Sequence, residues 1–249
     1  VAAVKIHPLF KWFGSKWQSA KHYPEPRWNT IVEPYAGSAG YALNYCDRNV
    51  LIWEDDPNLM QLWLWLIEDA TQSNVLDIPV GLPVGTDILS LGLSLGQALL
   101  LKHWQRTNNA GDCWTISPWG DKPGQWTANT RARVAEEVSA VKHWNFLVDP
   151  GFAPDNSTWF IDPPYQYNYR YRTGLPPFSH ELLASFVKRL PRQAQIICCE
   201  AACPKTGVVP SYLPFSPSHR SVTSRRKATQ QHHSRELIYY RAGLPGAAG

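Results

Sequence analysis

An α/β fold is predicted, with a largely parallel sheet interrupted by a mainly helical insert, and three observations predict it. Apolar strand-like runs alternate with helix-like segments, the order that builds parallel sheets. Glycines close the first run and prolines the later one at 157–162, so both strands stop abruptly. Residues 70–150 break the alternation with Gly/Pro punctuation and tryptophans, which suits an insertion better than more sheet.

In chain order, TIVEPYAGSAGYAL (30–43) predicts a short apolar strand, a tight turn over Gly37–Gly40 and a helix entered at about Ala39. NVLIWEDDPN (49–58) predicts a second strand ending on Glu54, Asp55 and Asp56, and residues 59–69 a helix. Within the insert, ILSLGLSLGQALLL (88–101) predicts one buried helix. RARVAEEVSAVKHWNFL (131–147) predicts another, with Val134, Val138 and Val141 on one face. The α/β pattern resumes with a strand at 157–162, a helix at 179–190 and a strand at 193–201. A basic loop over 219–235 then precedes a last strand, ELIYYR (236–241).

Composition removes several classes. The 249 residues are 44% hydrophobic and 18% charged, enough apolar content for a packed core and too little charge for a disordered chain. A net charge of +4 permits a polyanionic partner without requiring one. Five cysteines, an odd number with Cys198 next to Cys199, show no Cys-x-x-Cys or Cys/His spacing. Neither a disulfide framework nor a metal site is expected, and a reduced, cytoplasmic setting is. The opening VAAVKIHPLF lacks the apolar core of a secretion signal, and the run at 88–101 is too short to span a bilayer, so no membrane partner is expected.

Two motifs carry chemistry. Strand, glycine turn, helix, strand and terminal acid is the order of a nucleoside half-site: glycines let a ligand reach the backbone and the acid accepts from ribose hydroxyls. The alternative is a simple turn beside a solvated acidic cluster. In WFIDPPY (159–165) neither Pro163 nor Pro164 can donate to a sheet, so pairing stops at about Asp162. A carboxylate, a fixed carbonyl and a ring then sit at the carboxyl end of a strand, where open α/β sheets bind ligands. Asp-Pro-Pro is also an ordinary turn sequence.

FKWFGSK (10–16), VEPYAGSAG (32–40) and DPPY (162–165) together resemble the Dam-like DNA N6-adenine methyltransferases, in that family's order. The resemblance covers 8–69 and 157–241 and leaves the insert outside it. It departs in the glycine turn. Where the family has Phe-x-Gly-x-Gly, Tyr35, Gly37 and Ala39 stand here, and Gly40 follows.

The resemblance implies a class I methyltransferase-like (Rossmann-like) sheet. A discontinuous S-adenosylmethionine-binding catalytic domain would occupy 1–69 and 151–249, and a target-recognition insert 70–150. It assigns catalysis to Asp162, Pro163, Pro164 and Tyr165. For S-adenosylmethionine it assigns Trp12, Gly14, Lys16, Glu33, Tyr35, Ala36, Gly37 and Ser38, with Asp162 bordering the cofactor. Glu54 would take the ribose hydroxyls, with Asp55 its rival because strand ends shift by a residue or two. The implied partner is double-stranded DNA whose target adenine is flipped out of the helix, and the setting is restriction–modification or phage. The protein would act as a monomer or weak dimer. Tyr167, Tyr169, Arg170 and Arg172 would extend the nucleotide grip, with Arg225, Arg226, Lys227, Arg131 and Arg133 as phosphate contacts. An aromatic loop on the core and a solvated basic loop are the ordinary alternatives. Lys102, Arg106 and Lys122 are further cations of the insert, whereas Lys5 and Lys11 are expected as surface charges. Two other functions stand beside this one: methylation of RNA or a small amine, and a non-catalytic DNA-binding relative for which Ala39 is the hint.

Overall fold

The computed structural model describes residues 5–105, 114–118, 125–149, 152–165, 179–203, 206, 208–214, 217–222 and 236–243. The strands are β1 (Thr30–Pro34), β2 (Asn49–Trp53), β3 (Asn145–Phe146), β4 (Ser157–Ile161), β5 (Gln195–Ala201), β6 (Pro217–Val222) and β7 (Glu236–Arg241). The α-helices are α1 (Pro57–Glu68), α2 (Gln72–Leu76), α3 (Leu95–Gln105), α4 (Ala128–Glu137) and α5 (His180–Arg189). The fold is α/β with mixed, mostly parallel pairing, compatible with a Rossmann-like arrangement. Among the described residues no helix is long and apolar enough to cross a membrane. Two compact units divide the chain, each built from two stretches: Val1–Gln18 with Ala36–Val148, and Ser19–Tyr35 with Asp149–Gly249.

In the unit containing Ser19–Tyr35, strands run in the order β1-β4-β5-β7-β6. Parallel pairing joins β1 to β4 and β4 to β5, and β7 lies antiparallel to both β5 and β6. Ile31, Val32, Phe160, Ile161, Ile196 and Ile197 are fully enclosed, which explains why these strands read as continuous apolar runs. One buried amide ties the layers together. Gln195 Oε1 accepts from the Arg27 amide (2.7 Å) and from Thr158 Oγ1 (2.8 Å), while its Nε2 donates to the Glu25 carbonyl (3.0 Å). Helix α5 starts on Ser179, whose hydroxyl accepts the Leu182 amide, and carries Glu181 in its first turn and Lys188 and Arg189 in its last, matching the helix dipole. The predicted basic loop at 219–235 begins later than expected, because residues up to Val222 belong to β6.

In the other unit β2 and β3 pair in parallel, Leu51 with Asn145 and Ile52 with Phe146, and the Leu147 amide donates to the Ile52 carbonyl (2.7 Å). The expected helix over 131–147 is therefore corrected. α4 ends at Glu137, a 3-10 turn covers Val138–Val141, and the sequence Asn-Phe goes into a strand because β2 offers it a ladder. The helix expected over 88–101 also divides. Gly92, at φ 68°, closes a 3-10 turn over Ile88–Leu91, and Ser94 starts α3 by exchanging hydrogen bonds with Gln97. Asp56 caps α1 through the Asn58 amide (2.9 Å) with Pro57 in the first turn, and Leu59, Leu62, Trp63 and Leu66 form its buried face.

Segment 70–148 shares a compact unit with the N-terminal loop. Trp104 Nε1 donates to the Leu9 carbonyl (2.9 Å), Lys11 Nζ to Gln125 Oε1 (2.7 Å) and Arg133 to the Pro8 carbonyl (3.1 Å), so segment 70–148 straps residues 8–11 into its own unit. Gly96 of α3 admits the Trp65 ring of α1, for a Cβ there would stand 2.0 Å from Trp65 Cγ. Gly96→Ala is thus expected to destabilise the protein by about 1–3 kcal/mol, although alanine is the better helix former. Urea unfolding checks this, and an unchanged midpoint would refute the close packing.

Candidate functional site

Strand β4 is buried along its whole length, and its carboxyl end delivers Asp162, half-buried, then buried Pro163 and half-buried Pro164 and Tyr165. Because Val32 pairs with Trp159, Tyr35 and Asp162 leave β1 and β4 at the same level. Pairing of Ile161 with Cys198 carries β5 two residues further to Glu200, which is fully buried. Burial, together with the Glu200 and Asp162 carboxylates, pushes the Cys198 thiol well up, so this cysteine stays a neutral packing group. Glu33, also buried, lies on β1 just before the turn.

The chain continues from Tyr35 into Ala36 and the glycine turn. Tyr35 (φ 56°) and Ala39 (φ 50°) both adopt the left-handed conformation that side chains disfavour, a cost of about 1–2 kcal/mol each. Strain of this kind collects at functional sites. It also removes the helix expected at Ala39: a 3-10 turn forms later, over Ala42–Tyr45. Gly37 (φ 52°) has no room for a side chain, since a Cβ would meet Trp12 Cδ1 at 2.3 Å, and one on Gly40 would meet the Trp17 amide nitrogen at 2.5 Å. The turn therefore seats the loop 10–16 directly. Ser38 Oγ donates to Ser15 Oγ (2.8 Å), Trp63 Nε1 to the Gly37 carbonyl (2.8 Å), and buried Lys16 to the carbonyl of Gly14 (2.9 Å), itself at φ 86°.

Glu54, just past β2, is buried and closes the same arrangement. One carboxylate oxygen accepts the Gly37 amide (2.9 Å); the other accepts the amides of Asp55 (3.0 Å) and Asp56 (3.3 Å). Burial pushes its carboxyl up to about 8; the Gly37 amide pulls the other way and the neighbouring Asp55 charge adds to the rise. Glu54 also lines a cavity of about 660 Å³ with Trp53, Met60, Leu64, Trp144 and Phe146, within the size range of small-molecule sites. Asp55 is exposed. Trp12, Gly14, Lys16, Ala36, Gly37, Ser38 and Glu54 thus converge within one unit, while Glu33, Tyr35 and Asp162–Tyr165 gather in the other.

The expected nucleic-acid contacts fare differently. Tyr167, Tyr169, Arg170, Arg172, Arg225, Arg226 and Lys227 lie outside the described residues, as do Arg106 and Lys122. Arg131 donates to the Ile78 carbonyl (3.0 Å), and Arg133 bonds to Glu137 and the Pro8 carbonyl. Lys102 is fully buried, its ammonium 3.8 Å from the centre of the Trp114 ring, and is not an available cation of the insert. Lys11 is not a plain surface charge either: half-buried between Gln125 and the Trp104 ring, it has its pKa lowered by burial. His103, missed by the sequence reading, is buried beside Phe10 (5.3 Å) and Trp12 (5.8 Å between ring centres) and backs the loop from α3.

Among the described residues no group of His, Cys, Asp and Glu could hold a metal ion. Compared with the models of known protein families and with the curated proteins, the chain matches none.

Proposed function

We propose that the chain transfers a methyl group from S-adenosylmethionine to the N6 amine of adenine in DNA. The observation that carries this reading is the Asp162-Pro-Pro-Tyr165 segment at the carboxyl end of a buried parallel strand, flanked by the ends of β1 and β5. A buried acid after β2, bonded to the amide of a left-handed glycine turn, supports it, because strand, glycine turn and terminal acid in this order suit a nucleoside cofactor.

Trp12, Gly14, Lys16, Ala36, Gly37, Ser38 and Glu54 would hold S-adenosylmethionine, which supplies a methyl carbon activated by its sulfonium. The adenine amine is a poor nucleophile because its lone pair is delocalised into the ring. Asp162 and the Pro163 carbonyl each accept one N6 hydrogen, which favours a pyramidal nitrogen with its lone pair directed away from both acceptors. As the nitrogen–carbon bond forms and the sulfur–carbon bond breaks, N6 becomes positive and its proton passes to Asp162 or to water. Tyr165 stacks on the flipped base, a contact worth about 1–3 kcal/mol.

Labelled methyl transfer to duplex DNA, RNA and free nucleosides tests the reading. Label in DNA adenine supports it; label only in RNA or nucleosides replaces the substrate, and no transfer to any of them removes the enzyme.

Glu54 gives a proton-linked prediction. A carboxyl raised from 4.5 to about 8 on folding contributes most to stability below about pH 4.5, and that contribution is lost as pH rises toward 8. The ionised form is the one that accepts ribose hydroxyls. Cofactor affinity should therefore rise with pH by up to about tenfold per unit, levelling above about pH 8. Calorimetric titration of Glu54→Ala should show weaker binding and a flat profile, and unchanged affinity would move the ribose role to Asp55.

A further inference from the structure

A line of polar contacts leads from the Asp-Pro-Pro-Tyr segment into the sheet. The Pro164 carbonyl can only accept, so His180 Nε2, 3.1 Å away at the first position of α5, donates to it and carries the ring proton. The Tyr212 ring meets the imidazole edge-on, with centres 4.9 Å apart and planes at 64°. Its hydroxyl donates to Glu200 Oε2 (2.6 Å), and the other Glu200 oxygen accepts the Ala201 amide (2.8 Å). Glu200 is fully enclosed and paired through its backbone with Leu237 of β7, so this end of the line is rigid. Burial raises the Tyr212 pKa, with the Glu200 carboxylate adding to it, which keeps the phenol protonated as a donor.

The segment needs such an anchor for a geometric reason. Pro163 and Pro164 have no N–H to give, and their rings fix φ, so the freedom left in the main chain lies in ψ at these two positions. Holding the Pro164 carbonyl fixes the peptide that leads to Tyr165. From these contacts we infer that His180, Tyr212 and Glu200 are positioning residues that set the Pro163 carbonyl and the Tyr165 ring against the target base. The inference rests on the methyltransferase reading for its substrate and on geometry alone for the brace.

The test uses the full chain and the variants His180→Ala, His180→Gln and Tyr212→Phe. His180→Ala should lower kcat on duplex DNA by about 10- to 100-fold, the scale of an ångström-sized misplacement, with cofactor Kd changed by less than about twofold. His180→Gln, which can still donate to the carbonyl, should recover most of that loss. Tyr212→Phe keeps the ring, drops the bond to Glu200, and should fall in between. Hydrogen exchange over residues 159–165 gives a readout independent of activity, because the prolines contribute no amide and the signal beyond β4 comes from Asp162 and Tyr165. Exchange there should quicken in His180→Ala; if that variant does not fold, Tyr212→Phe carries the comparison.

Unchanged exchange overturns the brace, whatever the activity. Faster exchange with undiminished kcat overturns the positioning role. Faster exchange in a protein whose parent transfers no methyl group removes the methyltransferase reading and leaves the brace standing.

Discussion

Asp162→Ala should abolish measurable methyl transfer, a loss of at least about 10³-fold in turnover, while cofactor affinity changes by less than about fivefold. In the proposed mechanism the loss is large because the carboxylate would contribute most as charge develops on N6: beyond accepting one amine hydrogen in the ground state, it would face a cationic nitrogen as the bond forms. Asp162→Asn separates the two effects. The amide still offers one acceptor oxygen in the same place but no charge, so it should retain more activity than alanine and far less than the parent. Asp162 is half-buried and follows the last residue of β4, so neither change removes a core side chain, and thermal melts should stay close to the parent's. Single-turnover transfer with saturating cofactor is the measurement. A variant retaining most of its turnover would take the chemistry away from β4.

The second large effect is expected at Gly37→Ala. The residue sits at φ 52°, and its Cβ would lie 2.3 Å from Trp12 Cδ1 and 2.6 Å from Trp12 Nε1. A left-handed alanine costs about 1–2 kcal/mol, and displacing an indole held against His103 adds overpacking of similar size. Stability should fall by about 2–4 kcal/mol and cofactor binding by at least about tenfold, since the loop 10–16 loses its seat on the turn. Trp12→Ala alone should weaken cofactor binding with a smaller loss of stability. In the Trp12→Ala background, Gly37→Ala should cost only the backbone strain, a coupling of about 1 kcal/mol or more in a double-mutant cycle. Additive costs would show that the turn and the loop act independently.

The parts of this architecture legible in the sequence are those whose partners are local. β1, β4 and β5 declare themselves as apolar runs, and α1 and α5 as the helix-like segments 59–69 and 179–190, α1 starting two residues earlier than expected because Asp56 caps it. β3 does not: two residues take strand geometry because Ile52 and its neighbours supply hydrogen bonds, and the sequence alone continues the α4 pattern instead. The same holds for Lys102 and His103, whose burial depends on Trp114 and on Phe10 with Trp12, far away along the chain. At the candidate site the sequence marks the segments that carry polar groups and not the bonds those groups make within the fold. Glu54 read as a free acceptor, yet its oxygens already tie the turn to the end of β2 through the amides of Gly37, Asp55 and Asp56. His180, Tyr212 and Glu200 carry no motif, since only folding makes them neighbours.

The buried Gln195 amide has a consequence for the order of assembly. It accepts from a residue 168 positions earlier in the sequence and donates to one 170 positions earlier, and β1 must find β4 across the whole of the other unit. Closing so long a loop costs entropy before any pairing repays it, which slows folding. During synthesis the stretch around Glu25–Pro34 emerges well before β4, the strand that β1 pairs with in its own unit. In that interval Ile31 and Val32 lack the cover that β4 gives them in the folded unit, the condition under which apolar strands associate with other chains.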